Sequence, residues 1–268
     1  MTYVPSSCQP VVVRMNKKNL IAIGDIHGMA HVLKLLLQHL EAEFSPNDAQ
    51  FVFLGDIIDR GPDSLPAVNQ VCRIIDTFSG SVMVLGNHDF FLRHMADLSL
   101  AKDEEDRWLA QGGMNTLESY GLDDDDLVSA GKALRRMRPR HVTLFENAVS
   151  HFETENHFFV HAGVDPEVPL SEQLAHDLMW IRNGFLDHTA LFEKMIVHGH
   201  SITPSELPEV HPNRIAIDTG SYRTGRITAA IFQDDVLRGF VSAEIDGDSG
   251  RVRRFNASAK EVECLQAA

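Results

Sequence analysis

Phe51-Val52-Phe53-Leu54-Gly55-Asp56-Ile57-Ile58-Asp59-Arg60-Gly61 is the stretch on which the reading of this chain turns. Its first four residues form a short apolar run, the signature of a buried strand. Two acids and an arginine then stand between two glycines just past the strand's carboxyl end, where α/β proteins bind their ligands. Neighbouring acids repel one another and lose hydration when enclosed, unless a cation joins them. The loop therefore calls for a cation that accepts carboxylate oxygen, and for further donors elsewhere in the chain.

Outward from this loop the same arrangement recurs. Asn19–Ile23 reads as a strand and runs into Gly24-Asp25-Ile26-His27-Gly28. Met29, Val32, Leu33, Leu36 and Leu40 then mark one face of a helix through Glu43. Asp63 to Phe78 predicts a second helix, with Pro66 tolerated in its first turn. Ser81–Leu85 is a third strand, ending in Gly86-Asn87-His88-Asp89. Strand, glycine-bounded polar loop and helix in repetition predict βαβ units and a mostly parallel sheet. From Asp97 to Arg138 there is no strand signal, and Trp108, Leu109, Leu117 and the Leu127–Met137 stretch suggest an inserted helical subdomain. A β-rich half follows. Ala148–Phe152 and His157–Val160 read as a hairpin delivering His161-Ala162-Gly163, and Met195–Val197 leads into His198-Gly199-His200. Arg214–Ile217, Ile227–Phe232 and Leu237–Glu244 complete it. The expected organisation is one catalytic domain over residues 1–268, with its core at about 19–245, the insert at 97–138 and a partly ordered polar tail at 246–268.

The composition narrows the function. At 268 residues and 44% hydrophobic the chain can bury a full core. A formal net charge of −14 argues against nucleic-acid partners, which need clustered lysine and arginine. Cys8, Cys72 and Cys264 are too far apart in sequence to suggest a disulfide framework or a thiolate zinc site, and a reduced cytoplasm fits. Met1 to Lys18 shows neither a secretory leader nor a membrane span.

Of 14 histidines, His27, His88, His161, His198 and His200 adjoin glycine, aspartate or asparagine just after apolar runs. With Asp25, Asp56, Asp59 and Asn87 they form a set of oxygen and imidazole donors without thiolate, which suits Mn²⁺, Fe or Zn²⁺. Asp25 and His27, two apart, would point the same way along an extended segment. Alone, an Asp or Asn in such a place caps a helix. Five donor loops exceed what one ion needs and suit two ions about 3.5–4 Å apart.

Together Gly24–Gly28, Gly55–Gly61, Gly86–Asp89, His161–Gly163 and Gly199-His200 resemble the motifs of the phosphoprotein phosphatase family of metallophosphoesterases, in order and rough spacing. Ile217–Gly220 and Ile227–Ala229 resemble its late strand pair. The resemblance covers about Leu20 to Phe232 and implies an α/β (α+β) calcineurin-like fold, a central β-sandwich flanked by helices. It implies two divalent cations, Mn²⁺ ahead of Fe or Zn²⁺. Asp25 and His27 would bind the first, Asn87, His161 and His200 the second, and Asp56 would bridge them. It further implies a metal-bridging hydroxide as nucleophile, His88 as general acid oriented by Asp59, and Arg60 and Arg182 as phosphate ligands. His198 is read as structural, Asp218 as stabilising a turn, and Tyr222 is given no role.

Three functions are compatible with these motifs. A dead scaffold fails because every expected ligand is present. Symmetric diadenosine tetraphosphatases typically lack an acid at the Asp59 position, and Trp108-Leu109, Gly112-Gly113, Thr116-Leu117 and Tyr120-Gly121 resemble the insert of bacterial serine/threonine-type phosphatases. Asp89, where eukaryotic protein phosphatases carry glutamate, points away from those enzymes. The expectation is therefore a serine/threonine protein phosphatase acting on a phosphorylated protein or small phosphoester. The alternative is a symmetric diadenosine tetraphosphatase or other nucleotide polyphosphate hydrolase.

Overall fold

The computed structural model describes residues 17–266, apart from 124 and 248. The expectation for Met1 to Lys18 thus falls almost wholly outside the described residues, among which no helix is long and apolar enough to cross a membrane.

The first half alternates as its periodicity predicts. Strand β1 (Asn19–Ile23) leads to helix α1 (Ala30–Glu43), β2 (Ala49–Phe53) to α2 (Ser64–Thr77), and β3 (Val82–Met83) to α3 (Asn87–Ala96). Then follow α4 (Lys102–Trp108), a widened π-type turn at Leu109–Gly113, α5 (Met114–Tyr120), α6 (Leu127–Met137) and α7 (Pro139–Glu146). Pro139 opens α7, where a missing N–H costs nothing. The second half holds β4 (His151–Glu153), β5 (His157–Val160), α8 (Ala175–Trp180), β6 (Met195–His198), β7 (Glu209–Val210) and β8 (Arg214–Ala216). It ends with α9 (Ser221–Thr224), β9 (Arg226–Gln233), β10 (Val236–Asp246), β11 (Ser249–Asn256) and β12 (Glu261–Gln266).

Two sheets result, in the orders β12-β11-β10-β9-β1-β2-β3 and β4-β5-β6-β8-β7. Strand alternation builds the layers. Leu20, Ala22, Val52 and Leu54 meet Phe152, Phe159, Val197 and Ile215 between the sheets. Their neighbours Ile21, Ile23, Phe51 and Phe53 face the other way, onto α1, α2 and α3. Phe158, Val160 and Ile196 turn to the outer face of the second sheet, under Leu178 and Phe185. The arrangement is a sandwich of two sheets with helices outside each.

Two expectations are corrected. Both sheets are mixed: in the first, β1, β2 and β3 run parallel while β9 to β12 join antiparallel beside β1, and in the second, β5, β6 and β8 run parallel between the antiparallel edges β4 and β7. Asp234 and Asp235, both at positive φ, make the two-residue turn that forces β9 and β10 antiparallel. The stretch after Asp246 is also no loose tail. It forms β11, paired antiparallel to β10, and β12, paired antiparallel to β11. Only Val252 and Phe255 of β11 enter the apolar core, too few for an alternation to show among its arginines.

Phe159 lies fully buried between the sheets, its ring 5.3 Å from that of Phe232. Phe159→Ala should therefore lower unfolding stability in urea by about 3–5 kcal/mol. A loss under about 1 kcal/mol would contradict the packing between the sheets.

Candidate active site

The five polar loops converge at the carboxyl ends of β1, β2, β3, β5 and β6. The first two are stitched by backbone bonds. Ile26 and His27 N–H donate to Asp56 O at 3.0 and 2.8 Å, and Gly61 N–H donates to His27 O at 3.0 Å. His27, Asp56, Asp59, Arg60 and His200 all hold positive φ, an unfavourable conformation for such residues that persists only where surrounding contacts over-determine it. Gly86 shows how tight the fit is, since a Cβ there would lie 2.2 Å from Asp56 Oδ1. Asp25 and His27 do share a side, with carboxylate and imidazole 3.9 Å apart. The cause is the left-handed turn at His27 rather than the extended alternation expected.

Asp56 is central. Its Oδ2 lies 3.5 Å from Nε2 of His27 on one side and 3.5 Å from Nε2 of His161 on the other. His161 Nε2 is also 2.9 Å from Asn87 Oδ1 and 3.2 Å from His200 Nδ1. Two donor triads share this carboxylate, His27/Asp56/His88 and Asp56/His161/His200, each with its ligand atoms within 4.8 Å of one another. His27 and His161 each place Nδ1 against a backbone carbonyl, Ile58 O at 2.9 Å and Leu54 O at 2.7 Å. Donating there leaves each Nε2 free to face the cluster, as in metal-bound imidazoles. Buried His200 Nε2 has no hydrogen-bond partner at all. His200 N–H donates to Asp25, fixing the fifth loop on the first.

Charge balance agrees. Burial and neighbouring Asp218 hold Asp25 well above the usual carboxylate range. Burial pushes Asp218 up to about 6. It would raise Asp56 too, but the imidazoles of His161 and His88 draw that carboxyl well below its ordinary value. Burial lowers His27 to about 3, whereas at His161 the Asp56 carboxylate overcomes burial and raises the ring to about 9. Acids that repel, with the His27 and His200 imidazoles kept neutral by burial, fit divalent cations bound through oxygen and nitrogen.

Beside the cluster, His88 Nδ1–H donates to Asp59 Oδ2 at 2.7 Å. Trp108 Nε1–H donates to the same oxygen at 2.8 Å and Thr116 Oγ1–H to Asp59 Oδ1 at 2.6 Å. With its Nδ1 proton so placed, His88 accepts at Nε2 from Arg60 Nη2, 2.9 Å away. The Arg60 guanidinium also lies 4.6 Å from the centre of the Tyr222 ring. Arg182 reaches the site's edge, donating to His200 O at 3.2 Å and Ser201 Oγ at 3.3 Å. Every residue singled out from the motifs is therefore in one place. Asp218 accepts from Gly220 N–H, the expected turn, and buried His198 turns its Nδ1 to Gly199 O.

Sequence reasoning missed four contributors. Trp108 and Thr116 lie far from Asp59 in the chain. Asp89 was noted only as a departure, yet it accepts from Ile57 and Gly86 N–H and so joins the second loop to the third. Burial raises its carboxyl to about 7. Tyr222, 39% exposed, packs on Arg60 and stands edge-on to His27 at 5.2 Å.

Residues 18–205 match the model of the calcineurin-like phosphoesterase family. The symmetrical bis(5'-nucleosyl)-tetraphosphatase of Pseudomonas syringae pv. syringae is 31% identical over 156 residues, which is 58% of this chain but only 45% of that protein. The asymmetrical bis(5'-nucleosyl)-tetraphosphatase PrpE of Anoxybacillus flavithermus is 27% identical over 77% of this chain and 87% of its own length. Among solved structures, a protein serine/threonine phosphatase from Saccharomyces cerevisiae shares the fold with a TM-score of 0.52 and 14% identity, covering 97% of this chain and 85% of that one. Motifs, fold and family match agree: this chain belongs to the calcineurin-like phosphoesterase family.

Proposed function

We propose that the chain transfers a phosphoryl centre directly to water, and that its substrate is a bis(5'-nucleosyl) polyphosphate, in which the bond broken is a phosphoric anhydride and the departing group a nucleotide. The observation that carries the reaction is the buried donor cluster around Asp56, which faces His27 on one side and His161 on the other, with a His88–Asp59 pair and Arg60 beside it. Two divalent cations held by Asp25, His27, Asp56, Asn87, His161 and His200 would supply Lewis acidity and neutralise the equatorial phosphate oxygens. The protein's own part is positioning and proton transfer. Arg60 and Arg182 orient the phosphate. As Arg60 turns to it, His88 Nε2 is released, takes up a proton from solvent, and passes that proton to the departing oxygen. Asp59 stabilises the resulting imidazolium through Nδ1–H, the role an orienting carboxylate plays beside a catalytic imidazole.

The substrate class rests on the two tetraphosphatase relatives, one of them matched over most of its length. This replaces the sequence's first preference for a protein substrate. The partly exposed Tyr222 ring next to Arg60 offers aromatic surface to a nucleoside end group. A second reading, hydrolysis of phosphoserine or phosphothreonine, has a specific observation in its favour. His88–Asp59 is a fully built acid, and an alkoxide leaving group needs one more than a nucleotide does.

Measured side by side, kcat/KM should favour diadenosine tetraphosphate over a phosphothreonine peptide, and a strong reverse preference would restore the second reading. His88→Ala should lower kcat about 10²–10⁴-fold on an alkyl phosphate but far less on p-nitrophenyl phosphate. Equal losses on both would remove His88 from the acid role. Chelation should abolish activity, with Mn²⁺ restoring it. Asp56→Asn should lose bound metal and activity together, and retention of a full metal complement in that variant would contradict the shared position of Asp56.

A further inference from the structure

We infer that the helical insert is part of the acid-catalytic machinery, with Trp108 and Thr116 acting as positioning residues that set the Asp59 carboxylate for His88. The inference rests on the acid role proposed for His88.

Both Asp59 oxygens are committed to three donors, and only one of these is the imidazole. Trp108 Nε1–H shares Oδ2 with His88, and Thr116 Oγ1–H takes Oδ1. All four residues are buried. A buried carboxylate retains free torsion about its last bond unless both oxygens are bound, and only one torsion aims Oδ2 at His88 Nδ1. Thr116 also receives the Asp59 backbone N–H at 3.0 Å, so one hydroxyl grips main chain and side chain together. Ser64 Oγ, 2.9 Å from Thr116 Oγ1, completes the hydroxyl's bonding.

The insert's local geometry serves the same end. Trp108 closes α4, Thr116 lies in the first turn of α5, and the π-type turn Leu109–Gly113 between them carries Gly112 at φ 111°. Gly112 O receives Arg60 N–H at 3.4 Å, and Asn115 Nδ2 donates to Arg60 O at 2.8 Å. A Cβ on Gly112 would lie 2.6 Å from Arg60 N, and one on Gly113 would lie 2.7 Å from the Trp108 indole. The turn thus presses on the backbone of Asp59 and Arg60, both at positive φ, and seats the indole at once. Wide turns of this type are frequent at functional sites.

Thr116→Val keeps shape and removes the hydroxyl, Thr116→Ser keeps the hydroxyl, and Trp108→Phe removes the indole N–H. Rates on an alkyl phosphate and on p-nitrophenyl phosphate, bound metal content, and the ¹⁵N shifts of the His88 ring are to be read for each, beside Asp59→Asn and His88→Ala. Thr116→Val and Trp108→Phe should lose about tenfold or more in kcat on the alkyl ester and under about threefold on the nitrophenyl ester. Metal content should equal that of the parent, the His88 ¹⁵N shifts should move, and Thr116→Ser should restore the rate. Equal losses on both esters, or unchanged rates and shifts, would overturn the inference. If His88→Ala and Asp59→Asn show the leaving-group split while the insert variants behave as the parent, only the insert's role falls. If those two show no split, the acid assignment falls and this inference with it. Should Trp108→Phe fail to fold, the Thr116 pair decides alone.

Discussion

Enclosing several carboxylates in one dry cleft is the constraint around which the remainder of the structure is arranged. Asp25, Asp56 and Asp218 are all buried, and each raises the cost of ionising another. Such a cluster survives in a folded protein by taking up protons, by pairing with buried cations, or by binding metal. The imidazoles around it are mostly held neutral by burial, and His200 keeps a buried nitrogen without a partner. Metal is the response that uses these groups together. A divalent cation there would turn mutual repulsion among acids into shared coordination and would give the unpaired nitrogen a partner.

That arrangement needs backbone rigidity, because ligands two or three ångströms out of place would not converge. The chain supplies it by fastening loops to one another instead of to solvent. Asp56 O takes two N–H groups from the first loop, Asp89 takes one each from the second and third, and Asp25 takes one from the fifth. Five residues at the cluster, His27, Asp56, Asp59, Arg60 and His200, hold positive φ, and the bonds between the loops keep the backbone there in place. The β-rich half is what makes closure possible. β5 and β6 carry His161 and His200 in on a second sheet, and the phenylalanines between the sheets set the distance across which they meet Asp56.

How much of this was legible in the sequence differed by range. The loop residues could be read because each follows an apolar run and lies between glycines, a local signal. The parallel start of the first sheet was readable for the same reason. Strands β11 and β12 were not, because their register comes from pairing, β11 with β10 and β12 with β11, and the apolar residues of β11 are few. Trp108 and Thr116 sit on an ordinary helical pattern, and nothing in the spacing announces that an indole and a hydroxyl reach back to Asp59. Arg60 was expected to face the phosphate, yet it rests on His88 Nε2 and Tyr222, a choice among partners made only in three dimensions.

The Arg60–His88 contact also bears on when the acid becomes active. While Arg60 donates to His88 Nε2, that nitrogen bears a lone pair and has no proton to give. A phosphate competes for the guanidinium with a formal negative charge, and a charge-assisted pair is roughly twice as strong as the neutral contact it displaces. Under the proposed function, a bound phosphate would therefore free His88 Nε2 to take up the proton it delivers. Tyr222 keeps the arginine over its ring and limits where the guanidinium can go. On that proposal one arginine would link phosphate recognition to proton delivery, and the glycine-bounded loop that carries it also carries Asp56, which faces both halves of the donor cluster, and Asp59, which pairs with His88.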